Sequence, residues 1–164
     1  MMKYAPLFAK AAWTTLGIGA TGIFLSFLAG LVISVIRYRK IPFLLPLSTA
    51  YVELSRNTPL LVQLFFLYFG LPKAGIHISG ETCAAVGLTF LGGSYMAEAL
   101  RSGIESVSVS QYESAAALGL TEHQIFRFVV FPQAFTVSLP PLCANVLFLI
   151  KETSVFSVCA VPDL

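Results

Sequence analysis

The chain has 164 residues, 57% of them hydrophobic and only 11% charged, with mean hydropathy +0.83 and a formal net charge of +2. A soluble domain of this size carries about a quarter charged residues, so there are too few polar groups here to coat a globule in water, which excludes a cytosolic enzyme, a nucleic-acid binder and a disordered tail. The three cysteines, Cys83, Cys143 and Cys159, lack CxxC spacing, and His77 and His123 lack a second ligand at metal spacing, so neither a disulfide framework nor a metal site is indicated.

The first element is an uncharged apolar run over 13–36, long enough to cross the roughly 30 Å of membrane hydrocarbon. Arg37-Tyr38-Arg39-Lys40 follows it as a stop-transfer flank on the cytoplasmic side, which argues against a cleavable signal peptide. A mixed stretch over 43–57 places Glu53 and Arg56 on one helix face, where they can pair. It is read as lying in the interface or entering the membrane against protein. Thr58 as cap and Pro59 at the first helical position then open a second span over 60–69, with Tyr68 as an interfacial anchor.

A polar loop over 73–80 leads to a third span, 82–100, whose Gly87, Gly92, Gly93 and Ser94 let helices approach closely in lipid. The chain is polar from 101 to 133 and apolar again over 134–150, a fourth span that Pro140-Pro141 should kink or break. The expected fold is a single all-α domain over 1–164, a polytopic transmembrane helix bundle of about four spans. An extracytoplasmic N-terminus puts Arg37, Arg39, Lys40, Arg56, Arg101 and Arg127 inside and leaves Lys3, Lys10, Lys73 and Lys151 outside.

The loop over 111–132 carries the most information. Glu113 opens an alanine-rich helix that Gly119 should end, and Thr121 with Gln124 has the pattern of a capping box opening a second helix. Ile125, Phe128 and Val129 form a short apolar stripe on that second helix. Two short helices hinged by glycine suit insertion into a partner's groove, and equally suit a solvated connector between two spans.

The spacing Glu113-Ser114-Ala115, then Gly119, then Val129-Val130-Phe131-Pro132 resembles the EAA loop of ABC-importer permease subunits, with Ser114 in place of the motif's second alanine. The stretches 56–65 (RNTPLLVQLF) and 95–104 (YMAEALRSGI), followed by 149–154 (LIKETS) and Val161-Pro162, narrow the resemblance to the polar amino acid branch, the histidine/glutamine/arginine-type permeases. The resemblance implies a type I importer permease fold with five spans, so that a span following 161–164 is expected and the chain reads as C-terminally truncated.

It also implies a bacterial cytoplasmic (inner) membrane location and a dimer with a second permease subunit, homo- or heteromeric. Two ATP-binding subunits would carry ATP and Mg, and an extracytoplasmic amino-acid-binding protein would deliver substrate. The chain has no GxxxxGK[ST] pattern for binding ATP itself. By resemblance the ATPase-coupling residues are Glu113, Ser114, Ala115, Gly119, Ile125 and Phe128.

Ionisable and polar groups within spans are the substrate-path candidates, because lipid makes them costly. These are Glu98, Asn145, Glu152 and Gln63, with Glu152 placed to meet an amino acid's ammonium group. Glu98 and Arg101, one turn apart, are alternatively a structural ion pair. The rival function is a secondary transporter or channel subunit driven by ion gradients, which would favour inverted repeats and unwound helices at matching positions. An intramembrane enzyme would need Ser94 as nucleophile, and neither histidine lies in a span to activate it.

Overall fold

The computed structural model describes residues 5–159, and every regular element among them is helical. Lys3 and the 161–164 block lie outside the described residues. Helix α1 (Ala5–Tyr38) is followed by α2 (Leu44–Asn57) and α3 (Leu60–Phe65), which runs on through a π turn, Phe66–Gly70, and a 3-10 turn, Leu71–Ala74. Then come α4 (Gly80–Glu105), α5 (Val109–Ala117), the single turn α6 (Glu122–Ile125), a π turn over Phe126–Val130, α7 (Phe131–Glu152) and a closing 3-10 stretch, Thr153–Cys159.

Among the described residues, three helical stretches are long and apolar enough to cross a membrane: Ala9–Tyr38, Gly80–Glu105 and Glu122–Cys159. The expected second span is corrected. The apolar helix Leu60–Ala74 reaches only about 22 Å at 1.5 Å per residue, short of the roughly 30 Å it would have to cross. Helix register shows what completes it. Gly22 lies against Leu88, Ser26 against Gly92 and Gly30 against Met96, so α1 and α4 run parallel.

The chain between those helices must therefore return from one end of the bundle to the other, and α2 and α3 make that return together. Tyr51 and Ser55 donate to the Phe90 carbonyl at 2.6 and 2.9 Å, while Leu60 and Leu64 pack on Gly87. This pairing is antiparallel to α4. The second crossing is thus a broken helix, split at Thr58-Pro59. Thr58, forced out of the α region by the proline after it, is extended (φ −115°, ψ 118°), and its hydroxyl turns back to the Leu54 carbonyl instead of capping α3.

The proline pair does not break the helix. Helix α7 is continuous from Phe131 to Glu152 through Pro140 and Pro141. Two interhelical hydrogen bonds bracket the prolines and hold the rod to α4: Ser138 Oγ to the Ala99 carbonyl (3.2 Å) and Asn145 Nδ2 to the Tyr95 carbonyl (3.0 Å). Antiparallel packing against α4 thus holds α7 on both sides of the prolines.

Helix α4 is the axis of the bundle, with α1 and α7 on it. Its buried face is rich in small residues (Ala84, Gly87, Gly92, Gly93, Ser94, Ala97, Ala99, Gly103), and a Cβ at Gly103 would run into the Ser138 hydroxyl and the Ala134 carbonyl. In lipid, close contact of this kind substitutes for the hydrophobic effect between helices. Helix α1 is apolar all round and turns Trp13, Phe24 and Val32 outward, as a lipid-facing helix does.

Candidate functional site

Three features run from the end of the bundle that carries Arg37 and Arg101 towards its middle. The first is an ionic knot. Glu98 of α4, with a side chain only 18% exposed, is bonded by Arg37 of α1 and by Arg101 of its own helix (Nη2 to Oε2, 2.8 Å). Arg101 also holds Glu105. The expected Glu53–Arg56 pair does not form. Arg56 turns instead to Glu98, with Nη1 3.7 Å from Oε2, and lays its guanidinium over the Tyr95 ring at 5.1 Å. Arg37, Thr49, Glu53, Arg56, Tyr95 and Glu98 line a polar cavity of about 360 Å³ at this level.

The second feature lies deeper. A cavity of about 250 Å³ opens beside the helix break, with Asn57, Thr58 and Arg56 on one wall and Leu91, Tyr95, Phe148 and Glu152 on the others. Leu91 is close to midway along α4, so this cavity sits near mid-depth of the bundle. Among the described residues the Glu152 carboxylate has no ion-pair partner.

The other polar candidates are engaged elsewhere. Asn145 does not line this cavity and braces the Tyr95 backbone. Gln63 points into the elbow of the broken helix, where its Nε2 donates to the Ser55 and Thr58 carbonyls at 3.2 and 2.9 Å. Ser94 Oγ is buried and bonded to the Leu91 carbonyl and to Ser55 Oγ.

The third feature is the element over 109–130. Helix α5 ends in a Schellman motif: Gly119 N–H donates to the Ala116 carbonyl, Leu120 N–H to the Ala115 carbonyl, and Gly119 takes φ +82° with open space around it. Thr121 and Gln124 then form a reciprocal capping box.

The second helix of this element is not a separate short piece. It continues through the Phe126–Val130 π turn into α7, giving one helical rod over Glu122–Cys159. A small local core of Ala115, Ile125 and Val130, with Ile104 and Leu120 against it, seats α5 on the rod. Ala115 and Ile125 are therefore turned inward, at 4% and 1% exposure, and are not available to a partner. Glu113, Ser114, Gly119 and Phe128 are exposed. So is Leu118, which lies outside the motif positions: it is 82% exposed at the tip of α5. Its signal in the sequence was an apolar residue just before a helix-ending glycine. The Tyr38 ring of α1 packs at a tilt against Phe126, centroids 5.4 Å apart, joining the element to the ionic knot's end of α1.

A parallel–antiparallel bundle of apolar helices around a glycine-lined axis, with a capped helical element at one end, is the architecture of a polytopic membrane subunit. Residues 22–161 match the family of binding-protein-dependent transport system inner membrane components, and the chain belongs to that family. It is an integral inner-membrane protein with the type I importer permease fold.

The chain is similar to the probable glutamine ABC transporter permease GlnP of Bacillus subtilis (38% identity, covering 92% of this chain and 69% of the relative). It is also similar to GlnM, a second probable glutamine permease of that organism (42%, 85% and 64%). It spans about two thirds of these relatives' length. A crystal structure of an amino acid ABC transporter with histidines superposes with TM-score 0.93 at 35% identity, covering 100% of this chain and 77% of that one. Family membership sets aside the gradient-driven transporter that the sequence left as a rival.

Proposed function

We propose that the chain is the transmembrane permease subunit of an ATP-binding-cassette importer for polar amino acids. Relatives named for glutamine transport and a structural neighbour named as an amino acid transporter support the substrate class. In this reading the N-terminus is extracytoplasmic and the ionic knot faces the cytoplasm, as the excess of cations at that end favours. The permease pairs with a second permease subunit, two partner subunits bind and hydrolyse ATP with Mg, and an extracytoplasmic binding protein delivers the substrate. This chain supplies the pathway and the coupling element, and no ATPase site of its own.

The observation that carries the reading is the continuity of the rod Glu122–Cys159. The capped element begins it, and Glu152, on the wall of the mid-depth cavity, lies 30 residues further along it, about 45 Å at 1.5 Å per residue. A force applied to α5 and its small core acts on a body that also bears a cavity wall. Coupling needs such an element with two arrangements that nucleotide biases differently.

In the cavity, Glu152 stands where a substrate ammonium can be bound, and Arg56 with Asn57 stand opposite for its carboxylate. The exposed residues Glu113, Ser114, Leu118, Gly119 and Phe128 form the docking surface for the ATP-binding subunit. In the assembled transporter, Glu152→Gln is expected to lower uptake and substrate-stimulated ATP hydrolysis at least about tenfold, the loss of a charge-assisted hydrogen bond. Unchanged uptake would remove Glu152 from the pathway.

A further inference from the structure

We propose that Arg56 is a substrate-sensing switch, held by Glu98 while the mid-depth cavity is empty and drawn to the carboxylate of an amino acid when it fills. The inference rests on the reading of that cavity as a substrate site. Arg56, Asn57 and Tyr95 line both the mid-depth cavity and the polar cavity beside Glu98, and Asn57 is already tied to the Glu53 carbonyl at 2.8 Å. Among the described residues, Arg56 is thus the one cation that lines both chambers.

It is also the loosest partner of Glu98. Arg37 and Arg101 make hydrogen-bonded contacts to that carboxylate, whereas Arg56 stands 3.7 Å away with its side chain 43% exposed. A pair at that distance and exposure is weak. A direct carboxylate–guanidinium contact from a ligand is stronger. Stacking on Tyr95, whose backbone carbonyl is braced by Asn145, gives the guanidinium a fixed platform from which to turn.

Charge favours the exchange. Three arginines share two carboxylates in the knot (Arg37, Arg56 and Arg101 with Glu98 and Glu105). An arriving carboxylate answers the excess positive charge while Glu152 answers the ammonium. Arg56 lies two residues before the Thr58-Pro59 break. Releasing it from Glu98 removes the ionic tie between α2 and α4 beside that break, so cavity occupancy is read out as freedom of α2 relative to α4.

The test is a competition cycle measured by equilibrium binding. The permease is assembled with its ATP-binding subunits in nanodiscs without binding protein, and the probes are radiolabelled L-glutamine, L-glutamate, L-arginine and L-histidine. If Glu98 competes with the ligand for Arg56, Glu98→Gln tightens binding about twofold to fivefold, the strength of a loose pair converted to affinity. In the Arg56→Gln background the same change does nothing. A general electrostatic gain from removing one negative charge would persist in that background, so the cycle separates the two. Arg56→Gln alone weakens binding at least about tenfold, and Arg56→Lys weakens it less.

Where Glu98→Gln does not assemble, Glu98→Asp draws the carboxylate back and shifts affinity the same way. Tightening that persists without Arg56, or no tightening at all, overturns the switch. If Glu152→Gln also leaves binding unchanged, or none of the probes binds, the cavity reading falls with it. If Glu152→Gln weakens binding while Glu98→Gln has no effect, only the switch falls.

Discussion

The axis of the bundle and the capped element at its end are built on opposite plans. Helix α4 is held by neighbours distant in sequence: Ser26 reaches the Leu88 carbonyl, Ser138 the Ala99 carbonyl, and glycines bring backbones into contact. The element over 109–130 is held by rules that act within a few residues, a Schellman turn, a capping box and a small local core. Its outer face is left exposed. The element proposed to meet a partner protein is thus locally self-sufficient, whereas the proposed pathway wall depends on its neighbours.

That contrast can be broken most forcefully at Gly103. Its Cβ position is occupied by Ser138 and the Ala134 backbone, so Gly103→Leu should separate α4 from α7 and abolish recovery of folded, monodisperse permease in detergent. Normal yield would mean that the axis is not tightly packed.

Gly119→Asp should instead leave membrane insertion and abundance at the wild-type level while uptake in cells falls to background. The space around Gly119 is open, and a non-glycine residue at φ +82° costs only about 1–2 kcal/mol. A loss of uptake would therefore arise from mis-seating the proposed docking surface. Retained uptake would contradict the coupling role.

Smaller effects sharpen the comparison. Ser138→Ala removes a buried interhelical bond and should lower thermal stability by about 0.6 kcal/mol, seen as a shifted melting curve of the whole bundle. Thr121→Ala removes a cap worth about 1 kcal/mol. It should speed amide exchange only over 119–125, with the global melting temperature unchanged. A global shift would show the element to be part of the bundle's cooperative unit.

The same contrast explains what could be read from the sequence. Gly119, Thr121 and Gln124 were legible because their chemistry is local, and the span over 13–36 because nothing but lipid decides it. The broken crossing was not legible, since apolar length alone cannot show that 44–57 and 60–74 share one traverse; the parallel register of α1 and α4 requires it. Pro140-Pro141 misled for the same reason. Local propensity favours a break, and α7 is instead held unbroken along α4, to whose carbonyls its Ser138 and Asn145 side chains donate.

At the candidate site, Glu152 was found as an ionisable group within an apolar helix, but its cavity partners Arg56 and Tyr95 come from two other helices that no spacing links to it. The burial of Ala115 and Ile125 likewise follows from how α5 folds back on the rod, which the motif does not encode.

The central claim is that the exposed face of the capped element receives a nucleotide-hydrolysing subunit. Photo-crosslinking in native membranes tests it directly, with p-benzoylphenylalanine placed at Leu118 (82% exposed) or, as a control, at Phe24 (61% exposed) on the lipid-facing side of α1. A covalent adduct with an ATP-binding subunit is expected from position 118 and none from position 24. Absence of that adduct from position 118, in membranes where uptake is intact, would contradict the claim.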